Sequence, residues 1–229
     1  MKIYCLKIDL DEDKEFTETD MLMEYNSLRL KCVKNLERRH HIIYGDLLLQ
    51  YVAYYERGIH PITIYRGRHG KPYIREGGCY NISHSGNWIL CAYDEQDVGV
   101  DIQPYIDCNA DLAKHYFAEE ESAYLAGLTG KEQIIYFTDT WTFKESYIKT
   151  NGLSIFDVKN DNFAVYRPNY FIPGDGIIRN KRYHFVRGFL EDYSWCAMGV
   201  HCFNDYKLTR LSKVELIQGV RDLHYRSLK

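Results

Sequence analysis

The sequence lacks a long apolar run, a surplus of charge of one sign and any CxxC pair of cysteines. Without about 20 consecutive apolar residues, it holds no segment that predicts a transmembrane helix. Its N-terminus, MKIYCLKIDLDEDKE, turns acidic where a signal peptide would be apolar, so we expect a cytoplasmic protein with no membrane partner. The formal net charge of -3 gives no overall basic field, and we expect no nucleic-acid partner.

Cysteine is present, but its spacing does not indicate a disulfide framework or a zinc site. The seven cysteines are odd in number and stand mostly among apolar neighbours. Zinc and redox sites use closely spaced pairs, which this chain does not have. We therefore expect reduced, structural thiols at Cys5, Cys32, Cys79, Cys91, Cys108, Cys196 and Cys202.

The residues that are present indicate a globular chain of mixed fold. Hydrophobic residues make up 45% of the sequence and charged residues 27%, which supplies enough apolar surface for a sizeable core. Alternating and helical patterns follow one another and predict an α+β fold. The predicted strands lie at 2–9, 88–93, 98–102, 162–166, 182–189 and 194–202, and the predicted helices near 20–37, 45–56, 131–150 and 211–220.

A division of the chain into two parts is expected near residue 104. The segment Pro104–Asn109 has no regular period and precedes a helical stretch, which is typical of a connection. We therefore expect an N-terminal α+β half over 1–103 and a C-terminal α+β half over 104–229. The apolar runs 88–93 and 98–102 flank a polar turn and predict an antiparallel hairpin within the first half.

Two oxygen-bearing side chains end the second strand of that hairpin. Strand alternation sends Asp101 and Gln103 to the same face as Gly99. A carboxylate and a carboxamide oxygen two residues apart can both reach one hard cation. An aspartate at a strand end also caps turns or pairs with a base, so this pattern alone leaves both interpretations open.

The helix predicted over 131–150 carries a carboxylate within an apolar stripe, and Asn151 and Gly152 suit a left-handed cap at its end. An ionised carboxylate on a buried face is costly unless it is paired, hydrogen-bonded or metal-bound. Lys149 lies one turn after Glu145, and a simple Glu145–Lys149 pair is the alternative explanation. The residues that share this helical face are Ile134, Phe137, Trp141, Glu145 and Ile148.

Three further segments offer groups that can bind a phosphate. They are Asn-Ile-Ser-His-Ser-Gly at 81–86, His-Gly-Lys-Pro at 69–72 and Arg-Arg-His-His at 38–41. The same segments also read as exposed loops or as a solvated helix face, so their roles stay open on this basis. A serine hydrolase is disfavoured, because neither Ser83 nor Ser85 lies in a GxSxG turn.

Taken in order, four motifs resemble the 4'-phosphopantetheinyl transferases of the surfactin-synthetase type. They are GKP at 70–72, NISHSG at 81–86, GVDIQ at 99–103 and WTFKESYIKTNG at 141–152. The upstream RRHHIIYGDLLLQ resembles that family's early helix, and the likeness covers most of residues 38–152. It implies a pseudo-dimer of two similar α+β halves that bind coenzyme A and magnesium, or manganese in its place, in the cleft between them.

The resemblance also implies a reaction and the residues that perform it. The 4'-phosphopantetheine arm of coenzyme A would pass to a serine of an apo acyl or peptidyl carrier protein, with release of adenosine 3',5'-bisphosphate, and the enzyme would act as a monomer. By motif position, Asp101, Gln103 and Glu145 correspond to metal ligands, Glu145 to the group that activates the serine, and Lys149 to a lysine beside the reacting phosphate. The implied coenzyme contacts are Arg39, His41, Lys71, Ser83, His84, Lys144 and Lys149.

Two positions depart from the family pattern. Gln103 stands where many members carry Glu, and His41 stands where an Arg is common. Because an amide binds a metal less strongly than a carboxylate, we predict reduced metal affinity with activity retained. Two other functions stay open: a non-catalytic module that binds coenzyme A or the carrier protein, and a magnesium-dependent phosphohydrolase with water as acceptor.

Overall fold

The computed structural model describes residues 1–10, 19–67, 70–75, 77–106, 109–163, 165, 169–202 and 206–227. Within them the strands form a six-stranded sheet and a four-stranded sheet, and helices cover both, so the prediction of an α+β fold is confirmed. No helix in these ranges combines the length and apolarity that crossing a membrane requires. Six cysteines form no disulfide within the described ranges, which agrees with the prediction of reduced thiols, and Cys108 lies outside these ranges.

The first sheet contains the N-terminal strand and a strand from the end of the chain. Its strands are β1 (Lys2–Lys7), β2 (Ile64–Arg66), β3 (Pro72–Ile74), β4 (Gly78–Ser85), β5 (Trp88–Asp94) and β10 (Lys207–Leu211). Their order is β10-β1-β5-β4-β3-β2. The β1–β10 pair is parallel and its neighbour β1–β5 is antiparallel. Alternation along β1 sends Tyr4 and Leu6 into one core cluster and Ile3 and Cys5 into another, so both faces of this sheet are buried.

The second sheet is antiparallel and has the order β6-β9-β8-β7. Its strands are β6 (Val98–Pro104), β7 (Gly174–Ile178), β8 (Lys181–Leu190) and β9 (Tyr193–Gly199). The strands predicted at 182–189 and 194–202 are therefore present. The strand predicted at 162–166 is not, since Phe163 lies outside any strand, and its residues 164 and 166 lie outside the described part.

The two longest helices of the described ranges have 22 residues each. The helices are α1 (Glu24–Leu30), α2 (Leu36–Arg57), α3 (Ala110–Tyr116), α4 (Glu119–Ala126), α5 (Gly130–Asn151) and α6 (Lys213–Ser227). Asn35 caps α2 by accepting the Arg38 N–H at 2.8 Å. Gly152 ends α5 with a φ of 63°, the left-handed cap that the sequence predicts. The apolar face of α6 packs on α2 within the first core cluster.

The two sheets do not coincide with the expected halves, 1–103 and 104–229, whose division stays a prediction. β6 begins at Val98 and pairs with β9, whereas β10 and α6 return to the first sheet. The predicted hairpin of β5 and β6 is wrong, because β5 pairs with β1 and β4 while β6 joins the other sheet. The polar turn over 95–97 thus redirects the chain from one sheet to the other instead of folding it back.

Candidate functional site

β6 and α5 lie in close contact, and glycine makes this approach possible. A Cβ atom on Gly99 would lie 2.2 Å from the Ser146 carbonyl oxygen and 2.5 Å from the Thr150 nitrogen. A position this crowded by backbone atoms accepts only glycine. Because Gly99 and Asp101 share one face of the strand, Asp101 comes to lie beside the turn of α5 that ends in Lys149.

Asp101 is 1% exposed, and three side chains bind its carboxylate. Lys149 Nζ lies 2.5 Å and Ser83 Oγ 2.9 Å from Oδ1, and Gln103 Nε2 lies 3.2 Å from Oδ2. Lys149 also donates to Ser83 Oγ at 3.0 Å. The ammonium supplies the counter-charge that a buried carboxylate needs. Four residues from three sequence motifs thus meet at one point, and Gln103 shares the face of Asp101 as predicted.

Glu145 faces the same cluster, but it makes no hydrogen bond or ion pair with any residue that the structure describes. Its side chain is half-buried, and Lys149, the partner suggested by helical spacing, binds Asp101. Burial raises the pKa of Glu145, the nearby charge of Asp101 raises it further, and Lys149 opposes both. The alternative explanation of a simple Glu145–Lys149 pair is therefore wrong. Two carboxylates share one ammonium, which leaves one negative charge without a counter-ion.

The donor set suits a hard cation such as magnesium. Asp101 and Glu145 offer carboxylate oxygens, and Gln103, whose Nε2 donates to Asp101, keeps Oε1 as an acceptor. Across the described ranges, His, Cys, Asp and Glu do not form any group of three that could hold a metal. A cation here would therefore take its third protein ligand from the Gln103 amide and its remaining ligands from substrate and water.

A cavity of about 950 Å³ opens between α1, α2 and the strands β2 to β4. The rings of His41 and His84 stack in its wall with centroids 4.2 Å apart, and His41 Nε2 lies 2.8 Å from the Gly86 carbonyl oxygen. Burial lowers the pKa of His84 first of all, the charges of His41, Lys149 and Arg29 add to the shift, and together they bring the pKa to about 4. A bound anion would oppose that shift and favour the charged imidazole.

Consecutive side chains of β4 connect this cavity with the Asp101 cluster. His84 lines the cavity, whereas Ser83 is 4% exposed and gives its hydroxyl proton to Asp101. Strand alternation explains why the two side chains point in opposite directions. Lys71 lies near the end of α5, where Nζ donates to the Thr150 carbonyl at 2.6 Å and pairs with Asp97 at 3.0 Å.

Lys144 is buried away from the Asp101 cluster, so its surroundings do not support its expected role as a coenzyme contact, which stays a prediction. Its Nζ lies 2.8 Å from Glu121 Oε2 and 2.7 Å from the Asp161 carbonyl oxygen, and both charged side chains are 0% exposed. Burial lowers the pKa of Lys144, and Glu121 opposes that shift. Successive residues of a helix point about 100° apart, so Lys144 faces α4 while Glu145 faces the Asp101 cluster.

Arg39 also lies elsewhere than expected. Its Nη1 donates to the carbonyl oxygens of Leu30 at 2.9 Å and Val33 at 3.1 Å, and it is not among the cavity-lining residues. It joins the end of α1 to the start of α2, and its expected contact with coenzyme A stays a prediction.

Three residues at the site are not among the coenzyme and metal contacts that the sequence predicts. Arg29 and Arg66 line the cavity beside the neighbouring Arg38 and give it a basic wall. Asn81 lies between the cavity and β6, where its Oδ1 accepts the Val100 N–H at 2.9 Å. Asn81 falls within the NISHSG segment, but nothing in the spacing shows which strand it contacts. Arg66 carries no sequence signal, because its position depends on the pairing of β2 with β3.

Comparisons with known proteins agree with this arrangement. The family model described as the 4'-phosphopantetheinyl transferase superfamily matches residues 97–176, which include Asp101, Gln103, Glu145 and Lys149. The 4'-phosphopantetheinyl transferase Sfp of Bacillus subtilis strain 168 is 33% identical over 171 residues, covering 72% of this chain and 76% of the relative. A second Bacillus subtilis 4'-phosphopantetheinyl transferase is 35% identical over 173 residues, with the same coverage. The 4'-phosphopantetheinyl transferase psf-1 of Bacillus pumilus is 26% identical over 164 residues, covering 68% of this chain and 70% of the relative.

Proposed function

The chain belongs to the 4'-phosphopantetheinyl transferase superfamily, and we propose that it moves the 4'-phosphopantetheine arm of coenzyme A to a serine of an apo acyl or peptidyl carrier protein. Glu145 carries this proposal. It is a half-buried carboxylate beside Asp101, and no described residue bonds to it. Such a group is costly in a purely structural setting, but it suits a site that binds a cation and takes up a proton.

The cavity supports the binding of coenzyme A as the second substrate. Its volume of about 950 Å³ is of the size that small-molecule sites have. The imidazoles of His41 and His84 and the arginines beside them suit the phosphate on the adenosine side. Lys71 and Ser83 remain proposed contacts of the coenzyme, and both would have to exchange a present partner for it.

Magnesium, with manganese as its alternative, would be held by Asp101, Glu145 and Gln103. When bound, the ion would bind the pyrophosphate and offset the charge of the leaving group. The surplus negative charge of the cluster favours such a cation, since Lys149 balances only one of the two carboxylates.

The residues of this chain would then act as base and electrostatic stabiliser. Glu145 accepts the proton of the carrier serine, directly or through a water, and its raised pKa suits that task. The serine oxygen forms a bond to the pantetheine-side phosphorus as the bond from that phosphorus to the bridging oxygen breaks. Adenosine 3',5'-bisphosphate leaves with the electron pair. Lys149, fixed 2.5 Å from Asp101, offsets charge on the transferred phosphate.

A non-catalytic binding module is the second candidate, and one observation favours it. Gln103 directs its NH₂ group at Asp101, so the amide oxygen and not a third carboxylate is left for a metal. A phosphohydrolase with water as acceptor would use the same metal ligands, but it would leave the carrier unmodified.

One experiment separates the three functions. The protein is incubated with coenzyme A, magnesium and an apo carrier protein, and the intact mass of the carrier and the small-molecule product are measured. Carrier modification with release of adenosine 3',5'-bisphosphate supports the transferase. Binding without modification supports the module, and cleavage of the coenzyme without modification supports the hydrolase. Glu132→Gln, an exposed change at the start of the same helix, is the matched control for Glu145→Gln.

We propose in addition that the enzyme acts as a cytoplasmic monomer without nucleic-acid or membrane partners. The net charge of -3 supports the proposal on nucleic acid, because it gives the protein no overall basic field. Mass measurement in solution, alone and with the apo carrier, tests the monomer.

A further inference from the structure

Two strands from different sheets meet at the site and are joined by side chains. β4 pairs with β3 and β5, and β6 pairs with β9, with no ladder between β4 and β6 among the described strands. Instead, Asn81 Oδ1 accepts the Val100 N–H at 2.9 Å, and Ser83 Oγ accepts the Ile102 N–H at 3.3 Å. We call these two bonds, from Val100 to Asn81 and from Ile102 to Ser83, the side-chain ladder. They replace the missing backbone hydrogen bonds between β4 and β6.

The spacing of this side-chain ladder fixes the register of the two strands. Asn81 and Ser83 are two residues apart, as are the two N–H groups that they accept, so both bonds form in one register. A slip of one residue would place the apolar Ile82 opposite an N–H group and leave that donor without an acceptor. The side-chain ladder thereby flanks Asp101, which lies between Val100 and Ile102.

We propose that Asn81 is a positioning residue for Asp101. Ser83 contacts the carboxylate itself, whereas Asn81 acts only through the backbone of β6, one residue before Asp101. Asn81 is also among the residues that line the cavity, so it lies between the proposed coenzyme site and the carboxylate cluster. A neutral amide provides the acceptor without adding a third negative charge beside Asp101 and Glu145. The role in transfer rests on the proposed function.

The test compares Asn81→Leu, which keeps the size of the side chain but removes the acceptor, with the unchanged protein. Amide hydrogen exchange by NMR reports the bond directly. We expect the Val100 amide to exchange about 10-fold faster, the size of one lost hydrogen bond, while amides of β8 and β9 keep their rates. Magnesium titrated calorimetrically into the protein should bind about 10-fold more weakly. In the transfer assay, kcat should fall by a larger factor than the KM for coenzyme A rises.

Two controls separate positioning from general destabilisation. Asn81→Asp keeps the acceptor oxygen and should retain slow exchange at Val100, which a simple loss of packing would not do. Leu216→Ala removes a fully buried side chain from the first core cluster and should lower the melting temperature without changing magnesium binding. If Asn81→Leu does not fold, Asn81→Ser, which is too short to reach Val100, takes its place.

Unchanged exchange at Val100 would overturn the side-chain ladder. Faster exchange with unchanged magnesium binding would overturn the positioning role. Neither amide exchange nor magnesium binding needs a carrier protein. Both measurements therefore test the proposal even if the unchanged protein transfers nothing and the proposed function fails.

Discussion

Two charged clusters involve adjacent residues of α5, Lys144 and Glu145, and they differ in charge balance and in exposure. The closed pair, Lys144 with Glu121, is 0% exposed and balanced in charge, and backbone groups fill the remaining positions of both partners. The open cluster consists of Asp101, Gln103, Glu145 and Lys149. It has one surplus negative charge, and Lys149 is 26% exposed.

The difference shows which of two buried charges is structural. Glu121 accepts the backbone N–H of Ala118 at 2.9 Å and of Phe163 at 2.6 Å in addition to Lys144, so no ligand could bind there without breaking the pair. Glu145 has no such partner in the described ranges. The closed pair fixes the rotation of α5 about its axis, and that rotation directs Glu145 toward Asp101. Stability and chemistry thus depend on adjacent residues with separate surroundings.

The largest expected effect comes from neutralising the open cluster. Glu145→Gln should lower the transfer rate by about 10³-fold, because it removes both a proposed metal ligand and the proposed base. The thermal stability of the Glu145→Gln variant should rise while its transfer rate falls. The pKa of Glu145 is raised above its ordinary value of 4.5, so the folded state holds more protons just above pH 4.5 and stability falls as pH rises through that window. The variant should therefore melt higher at pH 7, and the gain should vanish below about pH 4.5.

Transfer kinetics and thermal unfolding across pH measure both effects, with Glu132→Gln as the exposed control. Full transfer by Glu145→Gln would contradict the proposed mechanism, although it would support the transferase activity itself.

Breaking the closed pair should have the second largest effect, and on stability. Lys144→Met leaves the Glu121 carboxylate buried without its counter-charge, which costs about 3–5 kcal/mol. For a chain of this size that lowers the melting temperature by roughly 6–20 °C. Adding Glu121→Gln should restore part of the loss, because the amide oxygen can still accept a backbone N–H.

Thermal unfolding checks this prediction, with the exposed Lys131→Met as control. The KM for coenzyme A, measured below the melting temperature, should stay near its original value. A normal melting temperature with a raised KM would instead return Lys144 to the coenzyme site.

Local patterns account for the elements that the sequence predicts correctly. The period and the caps of a helix are local, so α5 and its left-handed end at Gly152 follow from adjacent residues. Strand pairing depends on distant residues. The turn over 95–97 looks like that of a hairpin, yet β6 finds its partner about 90 residues later in β9. The return of β10 to the first sheet has no local signal either.

The candidate site shows the same limit at the level of single side chains. Face geometry and motif order together place Asp101, Gln103, Glu145 and Lys149 at one point, as the structure has them. Lys144 was assigned by motif position, although the helical period alone turns it about 100° away from Glu145. The helical period therefore predicts the direction of the Lys144 side chain better than motif position does. The role of Asn81 depends on the meeting of two sheets, which the spacing of one segment does not show.

A smaller effect is expected at Gly99, where β6 contacts α5, the helix that carries residues of both clusters. Gly99→Ala would place a methyl group against the Ser146 carbonyl and the Thr150 nitrogen and force β6 away from α5. Overpacking of this kind costs about 1–3 kcal/mol. Because Asp101 moves with β6, transfer should fall more than the loss of folded protein explains. Gly127→Ala, where the nearest atom is 3.5 Å away, is the control, and equal activity of the two variants would contradict the prediction.

The smallest effect should come from completing the open cluster with a third carboxylate. Gln103→Glu removes the amide donor that lies 3.2 Å from Asp101 Oδ2 and places a like charge there. Without metal the variant should therefore be slightly less stable, and with metal it should bind magnesium more tightly, by on the order of 10-fold. Thermal unfolding against magnesium concentration measures both, since a ligand raises stability by its occupancy of the folded state. Gln96→Glu adds the same charge in the exposed turn after β5 and controls for net charge. An unchanged magnesium requirement would mean that Gln103 is not a ligand, and that the open cluster binds its cation through Asp101 and Glu145 alone.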